Sequence, residues 1–459
     1  MRIIITTALN DGEAEYKNMG DVAMLQVAVQ RVADLWPDAR IEVLTDSPEN
    51  LARYCPKASA LPRTGCACWF RAHFFLGKYH GLLPKKLSRG LSAVKRAAGT
   101  RWPALLDALT ALRFAIGDSH GRRVNWERVR ASFANCDLML FSGSGGFADS
   151  CRDWNLFALW IIQAARRGRV TVAMLGQGIG PLTDSLVLRR ARKDLPNVSL
   201  IGLRGGKGSQ SILESIGVKP STIVTTGDEA IEIAHAAAAP KAGSALGVNL
   251  RIASYAGIGP NNIDEIRVPL REFASQRAIS LVPLPITSHE YANDCRALGD
   301  LLGPLNGESD GGAHLDSPEK LFEQTARCRI VVTGAYHAAV FALAQGIPAV
   351  CMCSSPYYSA KFEGLKDLFG VGCTVVKLDQ RGWQEELRSA VEGAWNSADD
   401  VRSSLLNAAA NQIHRSQMAY RSLKELIESK SKRTTSQKLA EQQEGARLDP
   451  LKDHVVRTR

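Results

Sequence analysis

The stretch VVTGAYHAAVFALAQGIPAV, residues 331–350, decides the fold. It begins as an apolar run, turns at Thr333-Gly334, and continues with apolar residues in a helical pattern. It closes at Gly346-Ile347-Pro348, where the apolar run IPAVCMC begins. Strand, glycine turn, helix and strand in that order make a β-α-β unit, the repeating piece of a parallel sheet. His337 stands where the strand gives way to the helix. Free N–H groups there favour an anion and disfavour an imidazolium. A bound phosphate or carboxylate would reverse that preference and make the histidine a usable acid or donor. The other reading of this position is a neutral histidine that caps its own helix.

The same rhythm extends in both directions. RIIITTA reads as a buried strand, GDVAMLQVAVQRVADLWP as a helix with Val22, Leu25, Val29 and Val32 on one face, and IEVLTD as a strand. From about residue 55 to 135 the rhythm is lost, and LPKKLSRGLSAVKRAAG and PALLDALTALRFAIG read as helices of an insertion. It returns with DLMLFSG, WNLFALWIIQAARRG, VTVAMLG, VSLIGL and STIVTTGD, and AHAAAAPKAGS then forms a small-residue linker. A second alternating set starts at ALGVNLR. These patterns predict an α/β chain of two Rossmann-like domains facing across a cleft, 1–236 and 244–396. Helices are expected over 397–427 and a disordered basic tail over 428–459.

With 459 residues, 45% apolar and 22% charged, the chain has the composition of a globular protein of two domains with additions. Its formal net charge of +11 favours acidic ligands or anionic surfaces. The basic residues lack interleaved aromatics and any recognisable reader motif, so nucleic acid is not an expected partner. The ten cysteines are scattered, often inside apolar runs, and read as reduced buried thiols of a cytoplasmic protein. Cys66, Cys68, His73 and His80 are ligand types, but their spacing matches no zinc pattern, so no metal is expected. No apolar run is long enough to span a bilayer. The basic insertion is a candidate for peripheral membrane contact.

Four glycine-bearing strand ends face the expected cleft: SGSGGFAD (142–149), LGQGIGPL (175–182), TGDEA (226–230) and TGAYH (333–337). Glycine lets a backbone bend sharply and approach a ligand closely. Asp21, Asp149 and Asp228, each near such a glycine, are candidates for a base or for acceptor binding. The other reading of each is a helix cap or loop hydrogen bond.

RIVVTGAYHAAVFALAQGIPAVCMCSSPYYSAKFEGL resembles the C-terminal signature of the polysaccharide pyruvyl transferase family. NMGDVAML, GSGGFAD, GQGIGPL, LRGGKGSQSILESIG, TGDEA and GVNLR agree with it, in the family's order, over about residues 1–369. The resemblance implies a GT-B-like architecture and transfer of a pyruvyl group from phosphoenolpyruvate to hydroxyls of a saccharide or lipid-linked glycan. That is chemistry of exopolysaccharide or cell-envelope glycan synthesis, with no cofactor. It implies His337 as a catalytic candidate; beside it, the aspartates at the glycine turns are read as catalytic (Asp21, Asp149) and acceptor-binding (Asp228). Arg204, Tyr336, Gly178 and Gly334 are implied for the donor anion. Many members carry an arginine two residues before the histidine; here Ala335 stands there, and Arg251 and Lys361 are candidates for the missing cation. That departure leaves open a GT-B nucleotide-sugar glycosyltransferase and a non-catalytic glycan- or anion-binding relative.

Overall fold

The computed structural model describes residues 1–7, 16–62, 84, 87, 131–290, 292–303 and 310–448, with the backbone alone over 431–448. The expected insertion and its cysteine and histidine residues lie almost wholly outside the described residues. The first lobe runs β1 (Arg2–Thr6), α1 (Met19–Leu35), β2 (Arg40–Leu44), α2 (Pro48–Tyr54), β3 (Ser59–Leu61), β4 (Leu138–Phe141), β5 (Ser144–Phe147), α3 (Arg152–Arg167), β6 (Thr171–Ile179), α4 (Ser185–Asp194), β7 (Leu200–Leu203), α5 (Lys207–Ser215), β8 (Ile223–Thr225) and α6 (Ile231–Ala236). The second runs β9 (Ala245–Asn249), α7 (Asn262–Arg277), β10 (Leu281–Pro283), β11 (Ser288–His289), β12 (Ala292–Asn293), α8 (Asp294–Leu302), α9 (Pro318–Ala326), β13 (Cys328–Thr333), α10 (Tyr336–Ala344), β14 (Ala349–Cys353), α11 (Pro356–Phe369) and β15 (Cys373–Lys377). One long helix, α12 (Trp383–Leu448), follows.

Both main sheets are parallel. The first has the order β3-β2-β1-β4-β6-β7-β8, with β5 paired to β6, and the second β10-β9-β13-β14-β15. Each order reverses once, between β1 and β4 and between β9 and β13. At such a switch point the loops diverge and leave a crevice at the carboxyl ends of the strands. The stretch 331–350 is the β13-α10-β14 unit at the second switch point, with Val331 in register with Ala349 and Thr333 with Cys351. α10 is buried along its whole length, which explains why its pattern is apolar all round and not a stripe.

Each lobe has an apolar cluster of its own, but the lobes also share a third. One apolar cluster runs from Val22, Leu25 and Val29 of α1 through Phe341 and Leu343 of α10 to Leu405, Tyr420 and Leu423 of α12. The chain before α1 also bonds to the second lobe: Met19 N donates to Ile286 O at 2.9 Å and Ser288 N to Lys17 O at 3.0 Å. α12 departs from the expected separate helices and structureless tail, because its helical backbone continues without a break past residue 428 to Leu448. The reason is local. The tail is rich in Ala, Glu, Gln, Lys and Leu, which favour helix, and Lys424 and Glu428 pair at i,i+4 spacing. Among the described residues no helix is long and apolar enough to cross a membrane, and the cysteines are free thiols.

α12 is the brace between the lobes, and this has a measurable consequence. Leu405 and Leu423 are fully buried, whereas Leu426 is 36% exposed. Leu423→Ala should lower unfolding free energy by about 2–5 kcal/mol, and Leu426→Ala by less than about 0.5 kcal/mol, in denaturant titrations of the full chain.

Candidate active site

The loop after β7 begins with Arg204, the loop after β8 carries Asp228, and His337 is the second residue of α10. All three side chains are nearly or wholly buried. They meet although two belong to the first lobe and one to the second. Arg204 Nη1 donates to Asp228 Oδ2 at 2.5 Å and to Met24 Sδ at 3.0 Å. His337 Nε2 lies 3.4 Å from the same Nη1 and 3.7 Å from Asp228 Oδ2. Burial opposes the charge of Arg204, but Asp228, Tyr336, Asp21 and Tyr357 together outweigh it and hold the guanidinium protonated. Burial likewise opposes the Asp228 carboxylate, yet Arg204 and His337 hold its pKa down to about 2. Asp228 Oδ1 also accepts from Ala230 N at 2.9 Å.

The side-chain hydrogen bonds of Arg204 among the described residues all run through Nη1. Its other edge faces glycine. A β-carbon on Gly145 would lie 2.5 Å from Nη2, and one on Gly178 would lie 3.4 Å from Nε. The Nε–Nη2 edge is the one a guanidinium uses for two-pronged binding of a carboxylate or phosphate. It opens on a cavity of about 370 Å³ between the lobes. The first lobe contributes Gly145, Gly178, Arg204 and the start of α5, and the second contributes Tyr336 and one side of α11.

Lys361 of α11 is the second cation on this wall. A β-carbon on Gly145 would be 2.7 Å from its Nζ. The ammonium lies 4.0 Å from the ring centre of Tyr357 and 5.6 Å from that of Tyr336, and the Arg204 guanidinium lies 4.6 Å from Tyr336. Burial and the nearby Arg204 push the Lys361 pKa down to about 7. Tyr357 Oη donates to Gly145 O at 2.7 Å, which fixes the glycine loop against α11. Asp21, in the first turn of α1, is within electrostatic reach of His337, Arg204 and Lys361, and burial raises its pKa.

Of the residues singled out in the sequence, the structure therefore gathers Arg204, His337, Asp21, Asp228, Tyr336, Lys361 and Gly178. It corrects the place or role of five, two of them within that group. Asp149 lies elsewhere, its carboxylate accepting from Thr183 N, Thr183 Oγ1 and Asp184 N. That is a loop staple, the other reading of an aspartate beside a glycine turn. Arg251 is held two-pronged by Asp294, at 2.6 and 2.9 Å, with Asn249 bonded to the same carboxylate, so its charge is already neutralised. Gly334 lies against the Arg251 backbone, away from the cavity wall. Asp228 has no exposed side-chain surface, so it orients Arg204 and His337 and does not reach an acceptor. His337 itself stands behind Arg204 and is absent from the cavity wall.

The sequence reading missed two supports. Glu229, next to Asp228, is buried and accepts from Gly143 N at 2.7 Å and from Tyr420 Oη of α12. It ties the first glycine loop to the final helix, and its only sequence signal was adjacency to Asp228. Gly20 is the other: a β-carbon there would lie 2.0 Å from His337 Cγ and Nδ1. The glycine of NMGDVAML therefore makes room for the histidine of TGAYH. That pairing links two motifs far apart in sequence.

The family model for polysaccharide pyruvyl transferase matches residues 18–355. The chain belongs to the polysaccharide pyruvyl transferase family. Its matched segment spans both lobes and includes Gly20, Arg204, Asp228 and His337. No curated protein matches. Among solved structures, a Listeria monocytogenes protein assigned as UDP-N-acetylglucosamine 2-epimerase aligns with TM-score 0.53 at 11% identity, over 94% of this chain and 97% of that one. The glycotransferase of kitacinnamycin aligns with TM-score 0.50 at 13% identity, over 93% and 98%. These likenesses establish the fold of this pyruvyl transferase family member as GT-B-like and carry no substrate with them.

The Gly20–His337 contact can be broken by one methyl group. Gly20→Ala should displace the imidazole and abolish stabilisation by inorganic phosphate in thermal unfolding. Gly393→Ala, where a β-carbon meets nothing within 4 Å, should leave that stabilisation intact.

Proposed function

We propose that the protein transfers a pyruvyl group from phosphoenolpyruvate to two hydroxyls of a saccharide acceptor in extracellular or envelope glycan synthesis. The observation that carries this reading is the pair of cations, Arg204 from one lobe and Lys361 from the other, that line one interlobe cavity side by side. Phosphoenolpyruvate bears a carboxylate and a phosphate on adjacent atoms. The free edge of Arg204 suits one of them and the Lys361 ammonium the other. Lys361 thus supplies from α11 the charge that Ala335 lacks on α10, while Arg251 is committed to Asp294.

The reaction balances without a cofactor. The first hydroxyl adds across the enol double bond, its oxygen to C2 and a proton to the methylene carbon, which becomes a methyl group. The second hydroxyl then replaces phosphate at C2, and inorganic phosphate leaves with the remaining proton. Lys361, which lines the cavity with a pKa near neutrality, is the group suited to exchange protons there, and Asp21, whose pKa burial raises, acts on it from behind the wall. Asp228 and His337 hold Arg204 in place for the departing phosphate. A nucleotide-sugar donor is the second reading, favoured by the fold of the solved neighbours. The volume of about 370 Å³ lies at the low end for ligand pockets and supports the smaller donor.

Phosphate release from phosphoenolpyruvate that depends on an added glycan tests the assignment. Stabilisation by a nucleotide sugar and not by phosphoenolpyruvate would overturn it. Lys361→Met should weaken phosphoenolpyruvate binding at least about tenfold, the loss of one charge-assisted contact. In the native protein the affinity should hold steady below about pH 7 and decline above it, because the depressed pKa of Lys361 leaves the amine neutral there. Lys361→Arg should remove that decline in titration calorimetry. His337→Ala should lower turnover by about 100-fold or more while the chain still unfolds cooperatively; retained turnover would make the histidine a purely structural residue.

A further inference from the structure

We propose that Glu363 and Asp367 form the acceptor wall of this cavity and select an uncharged sugar with two free hydroxyls over a sugar that carries a carboxylate. The inference rests on the pyruvyl-transfer reading for the direction of the reaction, and on the geometry of α11 for the residues. α11 lies along the cavity and lines it with Ala360, Lys361, Glu363, Gly364 and Asp367. Lys361 stands at the cationic end beside Arg204. Asp367 is six residues further, about 9 Å along the helix axis at 1.5 Å per residue. That separation leaves room for a sugar ring between Lys361 and Asp367, while Glu363, two residues from Lys361, stands about 3 Å along the axis and reaches the ring from the side.

The wall is built, not incidental. Gly364 brings α11 against the loop after β7: a β-carbon on it would lie 3.3 Å from Gly206 N and 3.4 Å from Gly205 Cα. On the other side of this contact, a β-carbon on Gly206 would lie 2.6 Å from Asp367 Oδ2. The two glycines therefore set the carboxylate at the mouth of α5, on the same wall as Ser209 and Ile212. Glu363 and Asp367 make no ion pair or hydrogen bond among the described residues. Two like charges at i,i+4 disfavour their own helix slightly, and Asp367 lies in the last turn of α11, the end that prefers cations. Within α11 itself, helix stability would not place the pair there, whereas Asp367 suits the N-terminus of α5.

An ionised carboxylate only accepts hydrogen bonds, and a sugar hydroxyl donates one. Two carboxylates on adjacent turns can therefore hold two hydroxyls of one face of a pyranose and point its remaining pair at the donor. The same charges repel a uronic acid. Asp228 and Asp149, the acids expected to bind acceptor, are spent on Arg204 and on Thr183, which leaves the α11 pair as the carboxylates that reach the cavity. Asp367 also stands near the first turn of α5, where a negative charge steadies that helix, so stability and sugar binding must be read separately.

The probes are methyl glycosides of glucose, galactose, mannose and glucuronic acid. Their binding to the full chain, saturated with phosphoenolpyruvate, is followed by saturation-transfer NMR. At least one neutral glycoside should bind and the glucuronide should not. In the Glu363→Gln, Asp367→Asn double variant the neutral glycoside should weaken at least about tenfold and the glucuronide should gain. Thermal stabilisation by phosphoenolpyruvate should stay as in the native protein, which shows that the fold and the cationic end survive. No binding of any neutral glycoside to the native chain overturns the proposal, and so does neutral-glycoside binding unaltered in the double variant. Glycoside binding that depends on both carboxylates, with no response to phosphoenolpyruvate, keeps the acceptor wall and rejects the donor assignment.

Discussion

The ion pair between Arg204 and Asp228 is the interaction on which the site depends. Both groups are out of water, and withdrawing two charges from water costs several kcal/mol each before their attraction returns any of it. Such a pair is a poor device for stability. It is a good one for geometry, because the carboxylate takes one end of the guanidinium and leaves the Nε–Nη2 edge aimed at Gly145 and Gly178. His337 then approaches the same two groups from the other lobe. The lobes are thus in register when the imidazole reaches Asp228 over Gly20, and out of register otherwise.

The surroundings prevent that register from slipping. Glu229 is bound by Gly143 N on one side and Tyr420 on the other, so the last helix is attached to the loop that floors the cavity. Arg31 lies 5.1 Å from the Tyr420 ring centre and pairs with Glu232, which closes the contact around α1 and α6. The apolar cluster shared by α1, α10 and α12 makes these polar contacts affordable, since it excludes water from them and strengthens each. α11 also belongs to this cluster, through Tyr358, Phe362, Leu365 and Phe369.

Replacing a donor arginine on α10 by a lysine on α11 changes more than the address of a charge. Arginine stays charged at any working pH, whereas a lysine hemmed by Tyr336, Tyr357 and Arg204 titrates near neutrality. The proposed anion site therefore pairs one fixed cation with one switchable cation. The tyrosines that face the ammonium keep it packed without a salt-bridged carboxylate among the described residues, and Asp21 acts on it only through space.

Much of this was legible in the residues themselves. The β-α-β alternation, the two-lobed order and the glycine-ended strands follow from periodicity and turn chemistry, which act over a few residues and are written locally. Arg204 and His337 were legible as a pair only through motifs, and Lys361 only as one option beside Arg251. Which cation was free depended on Asp294, a residue that sits 43 positions beyond Arg251 in the chain and within 3 Å of it in space. The same holds for Asp149, spent on Thr183, for Gly20 beneath His337, and for Tyr420 on Glu229. Hydrogen bonds and ion pairs are decided by distances of a few ångströms between segments remote in sequence. The chain alone thus determined which residues could do the chemistry, and only the packing of one lobe on the other decided which were left free to do it.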